Sequence, residues 1–491
     1  MVSRTPHSRY YRGLHQRCAS SILHSPAAYL TRYIVFIATL LSIRQLAKGD
    51  IEQAFLKVWI PFFLVMPTTF FVNIPGLPDP NFAQAAIIPI LFVLLRDRLA
   101  GMAFGRMEAL LLCYFVLRVG MDFVSRGYAD AQNYGFYMAT SLIGPYLLGR
   151  YVIDRREMDI ATAKMFVFIF VLFFPLFVYE LKFWVSPVYA AFGQLFPHAG
   201  SGLSLRWGVA RTAGTFTHPI LACIMVIAVY RLHKWLSWQG AWEQPQDAWL
   251  GRLQRWSRPL PFSFKHKISI ALILMALMTI SRGPWIGGFA GAALATVGNF
   301  RNRRLWLGLF LAAMIAGGIA GKVALDAYTS PDITGAISGE AQTMLYRKVM
   351  VEKYMDFLLD RVWTGWGLTT VPEIPGMESV DNAFFLMALQ HGVLAPTLFV
   401  LIFLYAIASQ IRFGLKTPYG EPPIGFTFAG IYLMAFIAFA TVYMGAQTEP
   451  MLFLLLGWGE SIKNRQADSA ADTLASDVPV DNGKPFRQII R

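Results

Sequence analysis

Residues 165–184 read Met-Phe-Val-Phe-Ile-Phe-Val-Leu-Phe-Phe-Pro-Leu-Phe-Val-Tyr-Glu-Leu-Lys-Phe-Trp, a run long and apolar enough to cross a bilayer as one helix. Similar runs recur along a chain of 491 residues, of which 56% are hydrophobic and 15% charged. An ordinary globular domain has about 25% charged residues, so a soluble enzyme is disfavoured. Because backbone polar groups must be satisfied inside a bilayer, such runs predict helices and hence an all-α polytopic membrane protein.

We place about twelve transmembrane helices on apolar runs that approach the ~20 residues needed to span a bilayer. They lie at residues 58–74, 82–95, 107–124, 134–153, 165–184, 219–236, 268–281, 285–300, 305–325, 383–407, 426–443 and 451–462. The shorter run Tyr33–Ile43, bracketed by Arg32 and Arg44, is expected to lie in the headgroup region.

The chain then divides into three parts. Residues 1–54 form a basic cytoplasmic or interfacial segment, residues 55–464 the transmembrane domain, and residues 465–491 a polar tail that we expect to be disordered.

The net charge of +14 comes from lysines and arginines in short clusters between the apolar runs, not from a single basic surface that would suggest nucleic acid. Most of these clusters fall in one alternate set of loops, which the positive-inside rule assigns to the cytoplasm. This parity predicts a multi-pass protein of the bacterial inner membrane with both termini cytoplasmic. Three cysteines, Cys18, Cys113 and Cys223, have no paired spacing, and we expect neither a metal nor a cofactor.

One long periplasmic loop, about residues 326–382, is the largest segment expected outside the membrane. Apolar residues recur at three- and four-residue spacing over 340–360, which predicts an amphipathic helix inside this loop. Acidic residues outnumber basic residues in the loop. An anion recognised here must therefore be held by a few placed arginines and not by the overall potential.

Three arginines stand at outward segment edges: Arg211, Arg282 and Arg347. A guanidinium offers a planar pair of donors that matches phosphate oxygens, so each arginine is a candidate ligand for a diphosphate. Two of them also have a structural alternative. Arg211 could reach lipid headgroups, and Arg347 could pair with Glu340 or Glu352 on its own helix.

Two candidate proton acceptors are expected on the same side, His218 and Asp381. The structural alternatives are a turn role for His218 and an N-terminal cap for Asp381, which precedes a predicted span. Inside the predicted spans, His391 is a weaker functional candidate, and Arg118 is expected to pair with Asp122 one turn later.

Three segments together resemble the O-antigen ligase and polysaccharide polymerase superfamily (Wzy-like, O-antigen ligase-related). They are Arg-Thr-Ala-Gly-Thr-Phe-Thr-His-Pro at 211–219, Ser-Arg-Gly-Pro-Trp-Ile-Gly at 281–287, and the stretch from Arg347 through Gly-Trp-Gly at 365–367 to Asp-Asn-Ala-Phe-Phe at 381–385. Each motif is short, but their order around a long loop after the ninth expected span is fairly specific.

The resemblance implies a metal-independent glycosyl-transfer enzyme that joins saccharides carried on undecaprenyl diphosphate, in exopolysaccharide or O-antigen biosynthesis. Its partners would be lipid-linked donor and acceptor saccharides, membrane lipids and other polysaccharide-assembly proteins. The family's arginines fall on Arg282 and Arg347. Ligases commonly have histidine where this chain has Asp381, which favours a polymerase. The alternatives are a transporter or flippase of lipid-linked saccharides, which explains the long loop less well, and a structural scaffold.

Overall fold

The described part of the chain is mainly helical. The computed structural model describes residues 32–98, 101–196, 204–243, 248–259, 261–329, 339–377 and 379–476. Its N-terminal α-helices are α1 (Ile37–Leu46), α2 (Ile51–Ala54), α3 (Ile60–Val65), α4 (Phe82–Arg98), α5 (Arg106–Arg126), α6 (Tyr128–Met138), α7 (Gly144–Tyr151), α8 (Arg156–Phe183) and α9 (Pro187–Phe192).

A small β-hairpin interrupts the helices, and the expectation of a purely α-helical fold missed it. Its antiparallel strands are β1 (Ser204–Arg206) and β2 (Val209–Arg211), with Ser204 opposite Arg211. Strands of three residues leave too short a hydrophobic alternation to stand out in the sequence.

The remaining helices follow this hairpin. They are α10 (Pro219–Trp238), α11 (Ala248–Trp256), α12 (Phe264–Met278), α13 (Arg282–Val297), α14 (Arg303–Thr329), α15 (Gly339–Asp360), α16 (Ala383–His391), α17 (Leu394–Lys416), α18 (Ile424–Phe439) and α19 (Thr448–Ser476). Helix α15 confirms the helix predicted over 340–360.

Among the described residues, four helical segments are long and apolar enough to cross a membrane. They are Arg156–Phe183, Pro219–Trp238, Arg303–Ala324 and Leu394–Lys416, and two shorter apolar helices are Tyr33–Leu46 and Ile424–Phe439. This agrees with an all-α membrane protein. The number of about twelve spans, the periplasmic side of the long loop and the cytoplasmic termini stay predictions.

Proline chemistry explains why several expected spans are assembled from shorter helices. A π-helical turn, Phe55–Trp59, joins α2 to α3, and another, Ala139–Ile143, joins α6 to α7. Proline stands in the first turn after each, at Pro61 and Pro145. Since proline lacks the N–H that continues the regular ladder, wider turns are a common local solution.

The segment Tyr33–Leu46 packs alongside α4. Its hydroxyl groups donate to backbone carbonyls of that helix, Thr39 to Ala85 (2.8 Å) and Ser42 to Ala86 (2.9 Å). Val35 and Ala38 are fully buried on the same side. The segment therefore belongs to the helical bundle, and its interfacial location stays a prediction.

Helices α13 and α18 are in backbone contact. A Cβ added to Gly291 would lie 2.2 Å from the Gly430 carbonyl oxygen, and one added to Gly430 would lie 2.3 Å from the Gly291 oxygen. Gly287 likewise leaves room for the Met434 backbone. Only glycine permits helix axes to approach this closely. The contact fixes the start of α13 relative to the end of α18.

The span predicted over 383–407 is wrong as a single helix. Gly392 has φ +75° and separates α16 from α17. A Cβ there would lie 2.1 Å from the Trp363 carbonyl oxygen, because the loop after α15 packs against this break and the Val393 N–H donates to Val362. The sequence has a continuous apolar run here, and nothing in that run predicts that the loop after α15 would interrupt the helix.

The two ends of the chain complete the comparison with the predicted domains. Helix α19 continues to Ser476, into the segment that we expect to be disordered, and residues 477–491 lie outside the described residues. Residues 1–31 of the basic N-terminal segment also lie outside them.

Replacing Gly392 by alanine should lower the free energy of unfolding by more than about 2 kcal/mol, since it adds a steric clash to an unfavourable positive φ. Gly376→Ala is the matched control, because Gly376 also has a positive φ (+81°) but nothing within 4 Å of an added Cβ. That variant should lose only about 1 kcal/mol. Equal thermal shifts of the two purified variants in detergent would show that the contact with Trp363 is unimportant.

Candidate functional site

A buried carboxylate holds the loop between β2 and α10. Near the end of α8, an oxygen of Glu180 accepts hydrogen bonds from the backbone N–H groups of Ala213 (3.0 Å) and Gly214 (2.7 Å). Gly214 has φ +61°, and a Cβ there would lie 2.6 Å from the Phe177 ring. This loop carries the first motif, 211–219, so Glu180 positions both of its candidate residues.

Arg211 ties this loop to the junction between α12 and α13. Its guanidinium donates to the Thr279 carbonyl (3.1 Å), the Ser204 hydroxyl (3.1 Å) and the Ser281 hydroxyl (2.9 Å). The side chain is buried, so the alternative that it extends into lipid headgroups is wrong. Burial, with Arg206 nearby, lowers the pKa of Arg211 to about 10, which leaves it charged at neutral pH.

Arg282 is the first residue of α13 and follows the Ser281 that Arg211 contacts. Its guanidinium carbon lies 4.8 Å from the centre of the Trp207 ring, over the ring face. Trp207 forms the tip of the β1–β2 hairpin. The sequence places Arg211 and Arg282 far apart, and the hairpin brings them to one place.

Arg347 reaches the same region from the loop helix α15. It donates to the Thr441 carbonyl (3.0 Å), just after α18 ends. A Cβ added to Gly283, next to Arg282, would lie 2.5 Å from the Thr441 hydroxyl oxygen. Burial lowers the pKa of Arg347, and the charge of Asp381 opposes that shift. Arg347 thus bonds Thr441 and lies within the electrostatic influence of Asp381, and the Glu340 side chain named in the alternative lies outside the described residues.

Asp381 is not the cap of α16. The side-chain oxygen of Asn382 caps that helix by accepting from the Phe385 N–H (3.1 Å). Asp381 accepts a hydrogen bond from the Ser379 hydroxyl (2.7 Å), and its charge acts on both His218 and Arg347. The carboxylate is therefore available to the site.

His218 caps α10. Its Nδ1 accepts from the Ile220 N–H (3.2 Å), which supports the turn role considered from the sequence. Burial, with Arg211 close by, lowers the pKa of His218 to about 4, although Asp381 raises it. The ring is therefore neutral at physiological pH. With Nδ1 acting as an acceptor, the proton of the neutral ring is on Nε2.

These contacts bring the five predicted residues together at the ends of several helices. We call this group the outer site: Arg211, His218, Arg282, Arg347 and Asp381. A cavity of ≈ 470 Å³ lined by Arg156, Asp159 and Arg465 lies at the opposite ends of the helices and does not belong to it.

The two candidates inside the spans belong to a separate buried cluster. Arg118 pairs with Glu449 (3.7 Å) and donates to the Tyr114 hydroxyl (2.8 Å). The predicted pairing of Arg118 with Asp122 is therefore wrong. Asp122 accepts the Leu368 N–H instead (2.9 Å). His391 is fully buried and stacks on Tyr134, with 5.0 Å between the ring centres.

Sequence reasoning missed three residues that organise these sites: Glu180, Trp207 and Glu449. Two of them carried a usable signal, because a carboxylate next to or inside an apolar run is costly unless it has a dedicated partner. Trp207 had none, since its importance depends on a hairpin too short to predict.

Comparison with known protein families matches part of the chain. Residues 268–402 match the family described as O-Antigen ligase, which supports an O-antigen ligase-related family and, in general terms, an enzyme of the ligase or polymerase type. No curated protein matches the chain. The matched region contains Arg282, Arg347 and Asp381 of the outer site. Arg211 and His218 lie before it and join the site only through the contacts described above.

Acidification should weaken the fold through His218. The folded-state pKa of about 4 is below the usual 6.5, so the unfolded chain takes up a proton first as the pH falls. The stabilisation from the neutral ring is complete above about pH 6.5 and decreases toward pH 4. By pH 5 the loss is about 1–2 kcal/mol.

His218→Asn keeps a capping oxygen but cannot titrate, so its thermal unfolding midpoint should fall less between pH 7.5 and pH 5 than that of the wild type. Parallel midpoints in the two proteins would contradict the neutral, buried state of this ring.

Proposed function

With the O-antigen ligase match as the premise, we propose that the chain is a membrane glycosyl-transfer enzyme that polymerises, or ligates, undecaprenyl-diphosphate-linked saccharides. Its reaction takes place at the periplasmic face, in exopolysaccharide or O-antigen biosynthesis, with lipid-linked donor and acceptor as partners. The outer site carries the chemistry and needs no metal. The protein is a multi-pass component of the bacterial inner membrane.

The observation that carries this proposal is the convergence at Thr441. Its carbonyl accepts from Arg347, its hydroxyl meets Gly283 beside Arg282, and the next carbonyl, that of Val442, accepts the Ala383 N–H at the start of α16. The segment 281–287 and both ends of the segment that runs from Arg347 to residue 385 therefore meet at one turn. Cationic donors beside a carboxylate suit a reaction that releases a polyanion while a hydroxyl group loses its proton.

Arg282 is the arginine best suited to bind the diphosphate. A guanidinium that stacks on an aromatic ring through its face keeps its N–H donors in its own plane, parallel to the ring, and such donors match phosphate oxygens two at a time. Arg211 instead directs its edge donors to Thr279, Ser204 and Ser281. We assign the stabilisation of the leaving diphosphate to Arg282 and Arg347. Arg211 contributes its charge from a greater distance and holds the loop between β2 and α10 in position.

Asp381 is the proton acceptor in this proposal. The acceptor hydroxyl attacks the anomeric carbon of the donor and a new C–O bond forms. The bond from that carbon to the diphosphate breaks, and its electron pair stays on the diphosphate oxygen beside Arg282 and Arg347. Asp381 takes the hydroxyl proton. His218 is less suited to this role because its Nδ1 already accepts a backbone N–H. It contributes an Nε2–H donor.

A transporter of the same lipid-linked saccharides is the competing function. Purified protein in detergent has no second compartment, so it can lengthen a lipid-linked oligosaccharide only if it is an enzyme. Formation of longer saccharides in that assay supports the proposal. Their absence from preparations that are folded, as judged by thermal unfolding, overturns it.

Replacing Arg282 by alanine should lower the turnover of lipid-linked substrate by about a hundredfold or more, since one missing donor to the developing charge costs about 3 kcal/mol. Arg361→Ala is the matched control, because Arg361 also stacks on a tryptophan of the outer loop, 4.2 Å from the Trp366 ring centre. It should leave turnover within a few-fold of the wild type. Rates are measured on purified proteins with equal thermal midpoints, and similar losses in both variants would contradict the role of Arg282.

Asp381→Asn and Asn382→Ala should separate chemistry from folding. Removing the carboxylate should reduce turnover by about 10²–10⁴-fold with little change in stability. Removing the cap at Asn382 should lower the free energy of unfolding by about 1 kcal/mol and largely preserve turnover. An Asp381→Asn enzyme that retains full activity at all pH values would exclude Asp381 as the base.

A further inference from the structure

Trp207 has a backbone conformation that its side chain disfavours. The hairpin turns at Trp207 (φ +54°) and Gly208 (φ +73°). Hairpin turns with two positive φ values strongly prefer Asn-Gly, and a positive φ is a genuine outlier for a bulky residue. Such strain persists only where the surroundings impose it, and it is concentrated at functional sites.

The rest of the structure fixes the position of this turn. Arg206 donates to the Ile280 carbonyl (2.9 Å), and Arg211 donates to Thr279 and Ser281. Both strands of the hairpin, β1 near its tip and β2 at its base, are thus fastened to the residues that immediately precede Arg282. The tip cannot move away from α13 without breaking buried hydrogen bonds.

Trp207 is 62% exposed although its ring lies beneath a guanidinium. Burial of the indole in the protein therefore does not explain a tryptophan here. The described contact of Trp207 is the one with Arg282, whose guanidinium carbon lies over the face of the indole ring. An arginine side chain has several rotatable bonds, so a flat aromatic support restricts where its N–H groups point.

We propose that Trp207 is a positioning residue that orients the Arg282 guanidinium toward the diphosphate of the lipid-linked substrate. The inference rests on the proposed function, and it adds a residue to which the motifs assign no role. The hairpin exists, in this view, to deliver the indole to α13. Asparagine or glycine would relieve the strain of the turn but would provide no aromatic surface for the guanidinium.

The competing explanation is that the tip anchors the protein in the membrane. Leu205 and Val209 are also exposed, at 53% and 42%, so three apolar side chains are exposed at the tip. An anchor needs only apolar area, whereas support of a cation needs an aromatic face. Trp207→Phe should therefore restore much of the function that Trp207→Leu lacks.

The experiment measures apparent KM and kcat for a lipid-linked oligosaccharide, together with thermal unfolding, on purified full-length protein. Trp207→Gly removes the strain at positive φ, so its unfolding midpoint should equal or exceed that of the wild type. The same variant should raise the apparent KM about two- to thirtyfold, the range of a lost cation–π contact. Trp207→Leu should behave similarly in KM, and Trp207→Phe should lie closer to the wild type.

Trp184→Gly is the matched control. Trp184 is likewise exposed (46%) with a positive φ (+59°), at the end of α8. Its replacement by glycine relieves the same kind of strain. It should leave KM unchanged. In an Arg282→Ala background, Trp207→Gly should have no further effect on the residual rate, because two residues that act through one contact are not additive.

The outcomes separate the two proposals. If the wild type forms no longer saccharide, the proposed function fails. If the wild type is active and Arg282→Ala is strongly impaired, while Trp207→Gly keeps the wild-type KM or Trp207→Leu matches Trp207→Phe, the inference about Trp207 fails alone.

Discussion

The outer site depends on one buried cation. Arg211 is taken out of water, and three hydrogen bonds to Thr279, Ser204 and Ser281 compensate for its lost hydration. These bonds join the hairpin, the end of α12 and the start of α13 into one unit. Because an unpaired buried charge is costly, separating the three segments is unfavourable: it would break the hydrogen bonds that satisfy the Arg211 guanidinium. The locations of Trp207 and Arg282 follow from this constraint.

The sequence predicted the class of the fold and named candidate residues that lie near one another in the structure, but it did not predict their contacts. Long apolar runs identified α8 and α10, and spacing identified α15, since both signals are local. The split of one expected span at Gly392 was missed because its cause, the backbone of Trp363, is distant in the chain. The partner of Arg118 was missed for the same reason. Periodicity suggests Asp122 one turn away, but Glu449 arrives from α19.

Two groups of charges occupy different environments in this molecule. The outer site collects its charges at helix ends, where Arg347 and Asp381 influence each other without being fully buried. The pair Arg118–Glu449 is enclosed among the rings of Tyr114, Tyr134 and Tyr137. A reaction that moves a polyanion requires access, which suits the first group. The second group links α5 to α19, and removal of one partner there would leave a buried charge uncompensated.

The glycine contact between α13 and α18 affects the spacing of residues at the ends of these helices. Gly291 lies about 14 Å along the helix axis from Arg282. A side chain inserted there would push the two helices apart, and the separation would grow toward the helix ends, where Gly283 lies against Thr441. Residues in the middle of the bundle thereby govern the spacing of the residues in the outer site. The tolerance of the outer site to substitution is set in part by how closely the two helix backbones can lie there.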